Sequence, residues 1–227
     1  MPASLLKTAL SVVLLAGVTQ AADVIDRIVA VVNGHIVLQS QWDQSVSFEA
    51  LLNRRPPRRF TLEQRKAALD RVIDQELIRQ QSRPADFHAA TASDIDRALA
   101  DIRDKYRDTP GEDAWKSLLA QYGLTEADLR EKIADQIEQL RAVDAHLRPG
   151  VQVDSRSVES YYHDKLLPEL GARGAKQVAL AEVAPEIREV LAQQKINDLL
   201  IGWLHTLRTN STIRTPFTAP ISGREAP

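Results

Sequence analysis

Cysteine is absent from the 227 residues. That excludes disulfides, thiol catalysis and an acylated cysteine anchor together. Aromatic residues are scarce at 5%, so any surface that binds polypeptide must rely mainly on Leu, Ile and Val. Glycine is thin as well, and no Gly-Gly pair, no G-x-S-x-G and no glycine-rich phosphate loop occurs. Neither sign of charge dominates, with 29 basic residues against 31 acidic, so there is no general attraction to nucleic acid. After the first 21 residues no apolar run approaches the roughly 20 residues that a membrane-spanning helix needs. No stable membrane insertion is expected. What remains is ordinary for a globular chain, 44% apolar and 26% charged, long enough for one domain or two small ones.

The amino terminus reads as a processing segment. Lys7 makes a basic start, Ala9 to Val18 is a short apolar run, and Thr19-Gln20-Ala21 offers small residues where a signal peptidase inspects. The expectation is a signal peptide over 1–21, cut between Ala21 and Ala22, with export from the cytoplasm. The alternative is a buried N-terminal helix. Removing 1–21 takes away Lys7 and no acidic residue, which leaves the charge still nearly balanced.

Beyond the cut, β-branched residues from Val24 to Val32 flank Asn33-Gly34 and then His35-Ile36-Val37-Leu38. Asn-Gly between such runs predicts a hairpin, because a type I′ turn needs positive φ at both central residues. The periodicity then changes to helical. A helix from about Ser40 to Arg54 is stopped by Pro56-Pro57. Thr61 and Gln64 form a capping box ahead of a stripe of Leu69, Val72, Ile73 and Leu77, with Pro84 just past the end. Ser93 opens a third helix carrying Ile95, Leu99 and Ile102, to about Arg107. Asp113 to Tyr122 forms a fourth, ended by Gly123. Thr125 caps a fifth, with Leu129, Ile133, Ile137, Leu140 and Leu147 in step, closed by Pro149-Gly150. Asp154 caps a further helix through Tyr161-Tyr162, and residues 171–174 look like a loose linker. A last helix starting near Pro185 shows an apolar face too wide for one neighbour, including Leu200, Trp203, Leu204 and Leu207, all expected to be buried. Ile213 is expected in a short strand beside the hairpin, and 215–227 reads as a flexible tail. The fold class is therefore mainly α with a small β element.

Three stretches in this order resemble SurA-type chaperones and the related PrsA-type foldases. They are Ile25 to Gly34 with Ile36 to Ser40, Val158-Glu159-Ser160-Tyr161-Tyr162, and Val183 to Arg188 with Leu191, Lys195, Trp203-Leu204 and Leu207-Arg208. The resemblance implies a helical SurA-type chaperone module with an N-terminal hairpin and a long closing C-terminal helix. It covers 22–214 as one module built from both chain ends. Relatives usually carry a parvulin-type isomerase domain between the Tyr-Tyr helix and the closing helix. Here only 163–180 separate them, far short of the roughly 50 residues that close a core. Isomerase activity is not carried over, and no catalytic residue, metal or cofactor is expected.

None of His35, His88, His146, His163 and His205 pairs with another at metal-ligand spacing. The run Arg54-Arg55-Pro56-Pro57-Arg58-Arg59 could touch phosphates, lipid head groups or an acidic partner, but reads more simply as a solvated loop. Around it Phe48, Leu51, Leu52 and Phe60 exceed one helical stripe, which makes them the candidate client-binding patch. The functional expectation is a periplasmic holdase for unfolded secreted or outer-membrane polypeptides. Two alternatives stay open: an adaptor that holds one specific partner, and a degenerate isomerase homologue without activity. Self-association as a homodimer is also open.

Overall fold

The computed structural model describes residues 26–82 and 89–215. The segment 1–21 with its Ala21–Ala22 junction, Pro84, His88 and 216–227 lie outside the described residues.

The hairpin forms where Asn-Gly demands it. Strands β1 (Ile28–Val32) and β2 (His35–Leu38) flank Asn33 at φ 50° and Gly34 at φ 90°, the double positive φ of a type I′ turn. They pair antiparallel with Val32 opposite His35 and Ala30 opposite Val37, and the register shifts between Ile28 and Ala30. A third strand, β3 (Ile213–Arg214), joins the other side of β1, with Ile213 opposite Val32. Asn33 reinforces that join, since its N–H donates to the Thr212 carbonyl at 2.9 Å and its side chain accepts from the Thr212 N–H at 2.8 Å. The sheet order is β2-β1-β3.

Helices α1 (Gln39–Leu52), α2 (Leu62–Gln81), α3 (Ala92–Asp104), α4 (Glu112–Gln121) and α5 (Glu126–Leu147) follow. The Thr61 hydroxyl accepts from the Gln64 N–H while the Gln64 side chain accepts from the Thr61 N–H, and Thr125 with Asp128 repeats the pattern. The third helix begins one turn-position earlier than expected. Its box is Thr91 with Asp94 rather than one built on Ser93. A helical run then spans α6 (Ser155–Tyr161), a π-turn at Tyr162–Leu166 and α7 (Leu167–Ala172). Residues 175–179 have no regular structure, and the Tyr162 hydroxyl donates to the Val178 carbonyl at 2.7 Å.

The closing helix α8 runs Leu180–Thr209, so Pro185 sits inside it and not at its start. A proline there removes one bond to the carbonyl four residues back. That carbonyl belongs to Ala181, and both residues are exposed, so water can serve it.

Three apolar clusters hold these elements together. The first packs Phe48, Ala50 and Leu51 of α1 against α3, α4 and α5 through Leu99, Ile102, Trp115, Leu119, Leu129 and Ile133. The second packs Val29, Val32 and Val37 of the sheet on Trp42 and Val46 of α1, Leu69, Ile73 and Leu77 of α2, and Leu207 of α8. The third joins Ile78, Val143 and Ile196. The face of α8 is less covered than its sequence suggested. Leu207 is buried, whereas Leu200, Trp203 and Leu204 are half-buried, and Val190, Leu199 and Ile201 are exposed. Leu140 on α5, expected within the stripe, is also exposed. Among the described residues no helix is long and apolar enough to cross a membrane.

Candidate functional site: a trough along the second helix

Helix α1 has apolar residues beyond one stripe because it serves two cores. Trp42 and Val46 enter the sheet cluster, while Phe48 and Leu51 enter the α3–α5 cluster. The four residues singled out from sequence therefore do not make an exposed patch. Leu51 is fully buried, Phe48 is 9% exposed, and Leu52 and Phe60 are half-buried against the first cluster.

Three of the four nevertheless return as lining of a surface depression. A pocket of about 440 Å³ between α1, α2 and α5 is walled by Phe48, Leu52, Gln75, Lys132, Asp135 and Gln136. A second, of about 260 Å³, lies between β2, α2 and α5; it shares Gln75, Lys132 and Asp135 with the first and adds Ile36, Val37, Val72, Ile78 and Gln139. A third, of about 370 Å³, shares Glu49, Asn53 and Arg71 with the first and reaches Phe60, Gln64 and Arg55. Shared walls make the three one trough along α2, over the seam between the two large cores. From Gln64 to Arg79 it follows α2 for fifteen residues, about 22 Å at 1.5 Å per residue. That length matches about six or seven extended residues at roughly 3.3 Å each.

The lining mixes apolar side chains, Ile36, Val72, Phe48, Leu52 and Phe60 among them, with polar groups, several of which have little to do. Gln75, Gln136, Gln139, Lys132 and Asp135 have no hydrogen bond or ion pair with any described residue. Partial burial pushes the Asp135 carboxyl above its ordinary value, with Lys132 only partly opposing that rise. Other wall charges are engaged. Arg71 Nε donates to Glu49 Oε1 at 2.6 Å, joining α1 to α2. Glu76 accepts from Arg79 at 2.8 Å and from Gln80 at 2.6 Å. Burial opposes ionisation at Glu76, but these bonds outweigh it and keep its carboxyl below the usual range. Unpaired primary amides beside apolar side chains can bond peptide groups without regard to sequence.

Three of the described histidines have side-chain contacts. His35 Nδ1 lies 3.5 Å from Glu76, His146 stacks on Trp203 at 4.3 Å, and His163 meets Tyr162 edge-on. No group of three or more His, Cys, Asp or Glu could hold a metal among the described residues. In the arginine run, Arg54 pairs with Asp108 at 3.2 Å and lies over Tyr106, and Arg55 lies over Phe60. A separate groove of about 800 Å³ runs between α5 and α8, lined by Leu140, Val143, Ile196 and Leu200.

The fold and trough together define a mainly helical module that closes on a three-stranded sheet and carries an elongated surface channel. The model of the SurA-like N-terminal domain matches residues 3–141, more than half of the chain, and the chain belongs to that family. It carries a SurA-type N-terminal chaperone module. The match ends in α5, so every trough residue except Ala142 falls within it, whereas α6 to α8 and β3 lie beyond it. A search of curated proteins found no match.

The trough escaped the sequence reading because it exists only where α5 folds back beside α2. The glutamines at 64, 75, 136 and 139 were its one local trace.

Proposed function

We propose that this protein is a holdase-type chaperone of the periplasm that binds unfolded secreted or outer-membrane polypeptides along the α2 trough and catalyses no reaction. The observation that carries the reading is the trough itself, lined by apolar side chains and unpaired amides together and long enough for a short extended segment. Such a surface suits clients whose ordering costs free energy on binding, because weak distributed contacts can hold them without fixing one sequence. Membership of a SurA-like family supports the chaperone class and the periplasmic setting, and the signal-like start supports export. The stretch 163–180, which is part of a helix and a short link, offers no room for an isomerase core.

The adaptor reading draws on a different feature, the groove between α5 and α8 with Leu140, Leu199 and Ile201 exposed near it. A fixed apolar face of this kind suits one partner, including a second copy of the chain. Suppression of aggregation across several unrelated unfolded clients separates the two. The holdase reading expects broad suppression at near-stoichiometric ratio, with prolyl isomerisation of a test peptide staying at the buffer rate. Capture of one protein alone would favour the adaptor, and an accelerated prolyl rate that survives repurification would contradict both.

A further inference from the structure

Strand β2 is an edge, and the trough lies against its open side. In the order β2-β1-β3 nothing among the described residues pairs with β2 beyond β1. The type I′ turn makes Val32 and His35 the first pair that exchanges both hydrogen bonds, and Ala30 with Val37 is the next. Ile36 between them therefore directs its N–H and C=O away from β1. No other described residue bonds either group. The neighbouring outward N–H, that of Leu38, is already taken by the Gln41 side chain at 2.9 Å.

The pocket position agrees with this. Successive strand side chains point to opposite faces, and Val37 is buried while Ile36 is 55% exposed. Both line the same pocket. Gln41, whose side chain holds the outward N–H of Leu38, lines it as well, which sets this space at the open edge of the strand. Its far wall is α5 and its floor α2, through Val72, Lys132, Asp135 and Gln139.

We infer that an unfolded client docks here in extended form, adding a short strand to the β2 edge through the Ile36 peptide group and placing a Lys or Arg side chain against Asp135. This rests on the holdase reading and names the conformation that the client adopts. Main-chain pairing supplies sequence-tolerant affinity, and alternate side chains face the α2 floor. The charge preference follows from the pocket lining, where the carboxylates of Glu76, Asp135 and Glu138 outnumber the cations Arg79 and Lys132, and Asp135 forms no hydrogen bond or ion pair with a described residue. Gln75 and Gln139 stand on the helices opposite, free to bond the outer edge of the added strand. Because only Ile36 offers a free pair, the added strand is short and the complex transient.

The test uses the full chain and a ten-residue peptide alternating Val and Thr with one central Lys. Amide exchange at Ile36 is expected to be fast in the free protein and to slow at least about tenfold in the saturated complex. Ile36→Pro removes the outward N–H and leaves the bonds to β1 intact, as an edge position allows. It should bind the peptide about fivefold more weakly than Ile36→Ala, which keeps that N–H, the ratio expected for one net hydrogen bond. A peptide with Glu in place of Lys should bind the unaltered protein more weakly than the Lys peptide does. If the peptide binds while Ile36 exchange is unchanged, this inference fails and the holdase reading stands. If neither this peptide nor any unfolded client binds, both fail. Should Ile36→Pro lose cooperative unfolding, the exchange measurement on the unaltered protein decides alone.

Discussion

Asp94 joins a local cap to a tertiary contact. Its carboxylate accepts from the Thr91 hydroxyl and from Arg141 Nη2, each at 2.7 Å, so the start of α3 is tied to α5. The Thr91 hydroxyl first, and Arg141 after it, push its carboxyl down to about 2 from an ordinary 3.8. A depressed carboxyl stabilises the folded state above its unfolded value and ceases to do so as pH falls through the folded value. The melting temperature of the native protein should therefore exceed that of Asp94→Asn by a full margin at pH 6, and the margin should shrink between about pH 4 and pH 2. A margin constant down to pH 2 would show that the charge is not what matters. At this scale the caps were legible in sequence, since Thr61, Thr125 and Asp154 act where their spacing placed them. Phe48 and Leu51 were not. Their excess over one stripe marks a helix wedged between two cores, a state that one-dimensional spacing cannot distinguish from an exposed patch.

Among the elements, the hairpin was the most legible because Asn33-Gly34 admits so few backbone solutions. The closing helix was the least. Pro185 marks no boundary, and the breadth of apolar residues on α8 overstated its burial, since the face turned to Val190, Leu199 and Ile201 has no cover from the described residues. Its other face matters more for folding. Leu207 sits in the sheet cluster, Trp203 and Leu204 pack beside it, Arg208 Nε donates to Asp74 of α2 at 2.6 Å, and β3 completes the sheet. A two-stranded ribbon is marginal by itself. A protein lacking 180–227 should therefore melt at clearly lower temperature, losing far more than the roughly 1 kcal/mol of a typical surface change. Unaltered melting temperature and cooperativity would mean that the hairpin side folds without the closing helix.

At the scale of the molecule, the trough follows from how the cores are divided. Helix α1 splits its apolar residues between two clusters, α2 carries one of them, and α5 returns across the seam, which leaves an open channel where neither core fills the surface. The class of fold was legible from periodicity and turn chemistry, whereas the channel needs residues about sixty positions apart, such as Gln75 and Lys132, to line one space. The direct test of the central claim is photo-crosslinking during client refolding. A photoreactive residue is placed in turn at Gln75, at Gln139 and at Lys116, an exposed position on α4 that lines none of the trough. The account predicts strong crosslinks to several unrelated unfolded clients from 75 and 139 and background from 116. Equal or greater crosslinking from 116 would contradict it.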